Sequence, residues 1–214
     1  MPTFRENAVA RHLAVYFSLL SPWAYIGHAE LQGLAAKHDL RLDYRPVALS
    51  QVFPESGGLP LAKRHPMRQN YRIVELQRWR EKRGLNFHLH PQFWPFDPAP
   101  GDRIVCAMTL AGVDPAKFMA AAFAGVFERQ RDLADAGTLA QILEESGYEP
   151  IWLQRGESGA AETCYQRNLA LALEDGVYGS PSYVLDGELF WGQDRLDLLD
   201  DALTSGRAPF RPDA

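Results

Sequence analysis

The pattern of apolar and polar positions divides the chain into two short β-rich ends and a long helical middle. His12-Leu-Ala-Val-Tyr-Phe17 is a compact apolar run of the kind that fills a buried strand. Ser21-Pro22 follows almost at once. A serine before a proline marks a helix start, because the serine side chain can cap and proline fits the first helical position. That helix is expected to reach about Lys37, and Leu40 to Pro46 then reads as a second strand. A strand–helix–strand opening usually builds a parallel pair.

The middle reads differently. Leu49 to Gly58, with Pro54, Gly57 and Gly58, is expected to be irregular. Pro66 to Arg83 has helical spacing, with Tyr71, Leu76 and Trp79 as candidate core contacts, and a loop rich in proline and aromatics follows from Pro91 to Gly101. Three helical patterns come next. One spans about Asp102 to Ala111. Another opens on Asp114-Pro115 and carries Phe118, Ala122, Phe123 and Val126 on one face. The third opens on Thr138 and stops at Gly147. The end of the chain returns to the opening style. Glu157 to Glu174 reads as a helix, and Tyr183 to Trp191 as a hairpin turning at Asp186-Gly187. Asp194 to Leu203 reads as a closing helix with Leu196, Leu199 and Leu203 on one face. The order β-α-β, helical block, α-β-β-α is an α/β thioredoxin-like topology carrying a large all-helical insertion. The expected units are 1–48 with 155–214, and the insertion 49–154.

Composition narrows the function classes. A chain of 214 residues fits one domain, or one domain with an insertion. No apolar run is long enough for a membrane helix. Met1 to Arg11 lacks the apolar core of a secretory signal, which points to the cytoplasm. The net charge of −5 argues against a nucleic-acid or membrane partner. Cys106 and Cys164 form no C-x-x-C motif and no disulfide framework, although a chance bridge between them stays open.

Several residues could carry chemistry, each beside a plainer reading. Ser21, at a strand end and a helix N-terminus, could favour an anion such as a thiolate, or could simply be a cap. Ser180-Pro181 precedes a strand; the proline could be cis, with the Ser180 main chain offered to a bound peptide, or it could be an ordinary turn. Asp194 could hold a ligand ammonium or cap the last helix. Lys63 to Arg83 holds eight Lys or Arg against two Glu, with Arg64, Arg68 and Arg72 at one-turn intervals. That run could be a solvated face, a carboxylate-binding face or, weakly, a nucleic-acid contact. His88 and His90 have the spacing of two metal ligands on one strand face but no third partner. Asn168 is either a ligand contact or exposed. No phosphate-binding glycine loop and no G-x-S-x-G is present.

Phe17-Ser-Leu-Leu-Ser-Pro-Trp-Ala-Tyr25 resembles the opening segment of the 2-hydroxychromene-2-carboxylate isomerase family, related to kappa-class glutathione transferases and more distantly to DsbA-like oxidoreductases. Gly176 to Leu196, including Tyr-Gly-Ser-Pro-Ser-Tyr and Trp-Gly-Gln-Asp-Arg, resembles it more specifically. The resemblance implies glutathione as cofactor and a small carboxylate-bearing substrate. It implies that Ser21 hydrogen-bonds the glutathione sulfur and that Ser180, before a cis Pro181, pairs with its cysteinyl part. By the same resemblance Gln193 and Asp194 bind the γ-glutamyl end, and Arg68 stands where the family commonly has lysine. It also implies a possible homodimer. The sequence departs from the family in having arginine at 68, no asparagine around Gly57 to Leu59, and no tryptophan near Phe127. The two positions of a redox C-x-x-C hold Ser21 and Ala24, so disulfide exchange at that point lacks its thiols. An isomerase using reversible thiol addition is expected. A kappa-like transferase and a non-catalytic peptide-binding protein are the alternatives.

Overall fold

The computed structural model describes residues 11–212; of the Met1–Arg11 stretch, only Arg11 falls within them. The chain runs β1 (His12–Phe17), α1 (Pro22–His38), β2 (Arg41–Pro46), α2 (Leu49–Ser56), α3 (Pro66–Lys82), α4 (Ala99–Leu110), α5 (Ala116–Phe127), α6 (Ala136–Glu145), α7 (Ile151–Gly156), α8 (Gly159–Glu174), β3 (Ser182–Leu185), β4 (Glu188–Trp191) and α9 (Leu196–Ser205). The strands form one sheet in the order β2-β1-β3-β4. β1 and β2 are parallel from His12↔Arg41 to Phe17↔Pro46, while β3 lies antiparallel to both β1 and β4. This is the thioredoxin-like arrangement with α2 to α7 inserted. No described helix is long and apolar enough to cross a membrane.

Alternation along β1 explains how the sheet is covered on both sides. Leu13, Val15 and Phe17 enter the main core with residues of α1, α5 and α9. Tyr16 enters a second cluster with Val47, Val52 of α2, and Ala172 of α8. The main core also takes in Ile104, Leu139 and Trp152, so apolar packing runs unbroken from the sheet into the helical block. The β3–β4 turn follows its sequence signal, with Asp186 at φ 50° and Gly187 at φ 80°.

Several boundaries differ from expectation. Leu49–Ser56 is a helix despite Pro54, because Val52 is fully buried against Tyr16 and Val47, and Gly57 ends the helix at φ 71°. α4 begins at Ala99 rather than Asp102: Asp97 Oδ1 accepts from Ala99 N–H (3.1 Å), and Asp102 lies inside the first turn. Asp135, not Thr138, caps α6, accepting from the Thr138 N–H at 2.7 Å. The helix expected from Glu157 is α8, which begins at Gly159 behind its Ser158 cap, and a short helix with no expectation from the sequence, α7, precedes it. Tyr71 is 59% exposed and contributes no core contact, whereas Leu76 is buried. Arg64 precedes α3, after a 3₁₀ turn at Leu61–Lys63, so it does not share the helix with Arg68 and Arg72.

Candidate functional site

Ser21 ends the short loop between β1 and α1. Its N–H donates to Ser18 O at 3.0 Å, which tightens the loop. Its Oγ accepts from Ala24 N–H at 3.3 Å, so the capping role is real. The same hydroxyl donates to Ser180 O at 3.0 Å, across 159 residues of sequence. The Ser180–Pro181 peptide bond is cis, and Ser180 Oγ accepts from Ser18 N–H at 3.2 Å. Serine and proline loops are thereby stitched together in both directions. Ser21 is 5% exposed and Ser180 9%. No acidic residue stands in the first turn of α1, so the helix dipole there is not neutralised. Behind Pro181, among Val15, Phe17, His28 and Tyr183, the cavity measures only about 10 Å³. A ligand at Ser21 must therefore approach from the outer side of the loop.

A residue with no signal in the sequence anchors this loop. Asp102 of α4 is fully buried. Its carboxylate accepts from Leu19 N–H (2.9 Å), Ser18 Oγ (3.0 Å) and Tyr165 OH (3.2 Å). Burial pushes its pKa up to about 7, against the lowering effect of these three donors. Trp94 holds the loop from another side, its indole N–H donating to Leu20 O at 2.9 Å.

The other expected site residues are spread around this centre. Gly192 N–H donates to Pro181 O at 2.9 Å, which places the Gln193–Arg195 3₁₀ turn directly after the proline loop. Gln193 is 2% exposed, packs on Gly27 of α1, and accepts from Arg83 at 3.4 Å. Asp194 makes no capping hydrogen bond, which removes its reading as an N-cap of α9; its half-exposed carboxylate lies 3.0 Å from Arg195. Arg68 is exposed on α3. Asn168 is neither exposed nor open to a ligand: it is buried and donates to Pro46 O at 3.2 Å. His88 and His90 lie on an irregular segment rather than a strand, beside a surface groove lined also by Arg80 and Glu128.

A family model for the DSBA-like thioredoxin domain matches residues 12–204. The chain belongs to that family. Within it, the chain is 28% identical over 193 residues to a 2-hydroxychromene-2-carboxylate isomerase of Sphingobium xenophagum, covering 88% of this chain and 95% of the relative. A second isomerase of the same name, from Pseudomonas putida, is also 28% identical, over 88% of this chain and 92% of the relative. A solved structure of a 2-hydroxychromene-2-carboxylate isomerase superposes with a TM-score of 0.76 at 25% identity, covering 91% of this chain and 95% of that one. These relatives support an isomerase on the DSBA-like fold.

The chain's own thiols lie away from the Ser21 loop. Cys106 of α4 and Cys164 of α8 are both free and stand on two helices that pack together. Their mutual interaction and burial push the Cys106 thiol up, while the same interaction and the charge of Arg167 bring Cys164 down.

Proposed function

We propose that the protein is a glutathione-dependent isomerase of the 2-hydroxychromene-2-carboxylate type, acting on that compound or a similar conjugated aromatic acid. The observation that carries the reading is the Ser21–Ser180 hydrogen bond at 3.0 Å, which joins the α1 N-terminus to a cis-proline loop. The donor set suits glutathione. A hydroxyl and an unneutralised helix N-terminus favour a thiolate. A buried cis-proline loop offers main-chain partners to a cysteinyl residue, and the half-exposed Asp194 carboxylate, paired with Arg195, would take an α-ammonium group as a further cation. Arg68 supplies a positive charge for a carboxylate of the tripeptide, with arginine's fork in place of a lysine's single point.

When bound, glutathione supplies the thiolate that adds reversibly to a conjugated double bond, so that the bond can rotate before the thiolate leaves. The protein's part is to hold and tune that sulfur. The Ser21 hydroxyl donates its proton to Ser180 O, and would turn it to a thiolate, a stronger, charged acceptor, were glutathione held there. Ala24 N–H keeps the Ser21 oxygen in place while this happens. Asp102 holds the loop through Ser18 and Leu19, so Ser21 need not be reorganised.

Calorimetric titration of glutathione tests the reading. Binding at millimolar glutathione or below is expected for the wild type, weakened about tenfold or more in Asp194→Ala. Absence of binding to the wild type overturns the proposal. During turnover, total thiol should stay constant; stoichiometric loss would instead identify a conjugating transferase.

A further inference from the structure

Of the seventeen arginines among the described residues, eight have a carboxylate partner and nine do not. Arg11, Arg45, Arg78, Arg83, Arg103, Arg131, Arg195 and Arg207 each lie within salt-bridge distance of an Asp or Glu. Arg64, Arg68 and Arg72 have none among the described residues. Arg64 feels the charge of Arg68, and Arg72 that of Arg64. Arg72 is the most enclosed: its guanidinium lies over the Trp94 ring at 5.1 Å, and burial followed by the Arg64 charge pushes its pKa down to about 10. Arg64 is steadied by a bond from its Nε to Leu59 O at 2.8 Å. Arg72, enclosed against Trp94 and without a counter-charge among the described residues, is unfavourably placed unless something anionic completes it.

The position of this cluster matters as much as its charge. Trp94, which carries Arg72 on its face, donates its indole N–H to Leu20 O, one residue before Ser21. At the other end of α3, Arg83 meets Gln193. Arg72 and Arg83 are eleven residues apart, or roughly 16 Å along a helix. The cluster therefore borders the Ser21 loop on the side away from the Gln193–Asp194 turn.

We propose that Arg72, assisted by Arg64 and backed by Trp94, is the subsite for the carboxylate of a small planar conjugated acid, separate from the residues that hold glutathione. That the subsite serves a thiol reaction rests on the reading of Ser21 as the thiol site; the enclosed Arg72 on its indole does not. The guanidinium's paired donors match a carboxylate, and the indole beneath fixes their plane. Anion binding would also relieve the repulsion between Arg64 and Arg72.

The test uses salicylate as an aromatic carboxylate and salicylamide as its uncharged analogue, titrated calorimetrically with and without glutathione. Salicylate should bind the wild type and salicylamide should not. Arg72→Gln should weaken salicylate about tenfold or more while changing glutathione affinity less than about twofold. Arg72→Lys should recover part of the loss, since it restores charge without the fork. Failure of salicylate to bind the wild type, or unchanged binding in Arg72→Gln, overturns the inference. Loss of glutathione binding in Arg72→Gln with salicylate unaffected also overturns it, by giving Arg72 to the tripeptide. Salicylate binding that depends on Arg72 in a protein that does not bind glutathione would uphold the subsite and refute the isomerase proposal. Should Arg72→Gln fail to fold, Arg64→Gln, outside the helix, carries the same comparison with the same expected direction.

Discussion

At Ser21 a single hydroxyl both accepts from Ala24 N–H and donates to Ser180 O. A thiolate placed beside it is a better acceptor than a carbonyl, and a hydrogen bond to a charged group is worth roughly 1.5–3 kcal/mol. Ser21→Ala is therefore expected to lower kcat/KM by about 10- to 100-fold, while glutathione affinity changes much less. The pKa of the bound thiol, followed by ultraviolet thiolate absorbance against pH, should move back toward about 8.5. Asp102 makes the second prediction at this scale. Its folded pKa, about 7, lies above its unfolded value, so the folded state binds more protons between those limits. Its contribution is fully present below pH ~4 and is lost as pH rises through about 7. Denaturant midpoints at pH 5 and pH 8 should show the wild type more stable at the lower pH through this group, and Asp102→Asn should shrink that difference. No sequence pattern marks this residue. An aspartate in the first turn of a helix is commonplace, and its meaning here comes from Ser18, which is 84 positions distant. Ser21 and Ser180-Pro181 were legible because motif and local chemistry agree; their mutual hydrogen bond was not, because only the sheet brings them together.

Helix α1 links the Ser21 end of the candidate site to the Gln193–Arg195 turn. A Cβ at Gly27 would stand 2.6 Å from Gln193 Cβ, so the helix and the 193–195 turn touch through the missing side chain. Gly27→Ala is expected to cost about 1–3 kcal/mol, by overpacking, and to weaken glutathione by displacing Gln193 and Asp194. A thermal melt and a titration on the same sample check both; a lowered Tm with unchanged glutathione affinity would separate that turn from the ligand. Elements with local punctuation could be read from the chain: the Ser21-Pro22 start of α1, the Asp186-Gly187 turn, the leucine face of α9. Those stabilised from a distance could not. α2 contains a proline and is held by burial of Val52, and the six-residue α7 is held by burial of Trp152 in the core of the block. Propensity yields to burial in both.

The sheet and the helical block share one apolar core, in which Leu13 and Phe17 belong with Ile104, Leu139 and Trp152. They are expected to unfold as one cooperative unit, with coincident far-ultraviolet dichroism and tryptophan fluorescence transitions in denaturant. Two separated transitions would mean that the insertion is energetically independent. This continuity also explains how the block can serve the site: Asp102, Trp94 and Arg72 all come from it, and the first two hold the Ser21 loop directly. The sequence order alone indicated an insertion within a thioredoxin-like frame, but not that the inserted helices hold the loop. A crystal of the protein soaked with glutathione shows at once where the tripeptide lies. The glutathione sulfur should lie within hydrogen-bond distance of Ser21 Oγ, its cysteinyl main chain along Ser180, and its ammonium group at Asp194. Glutathione absent at millimolar concentration, or bound with its sulfur away from Ser21, would contradict this placement.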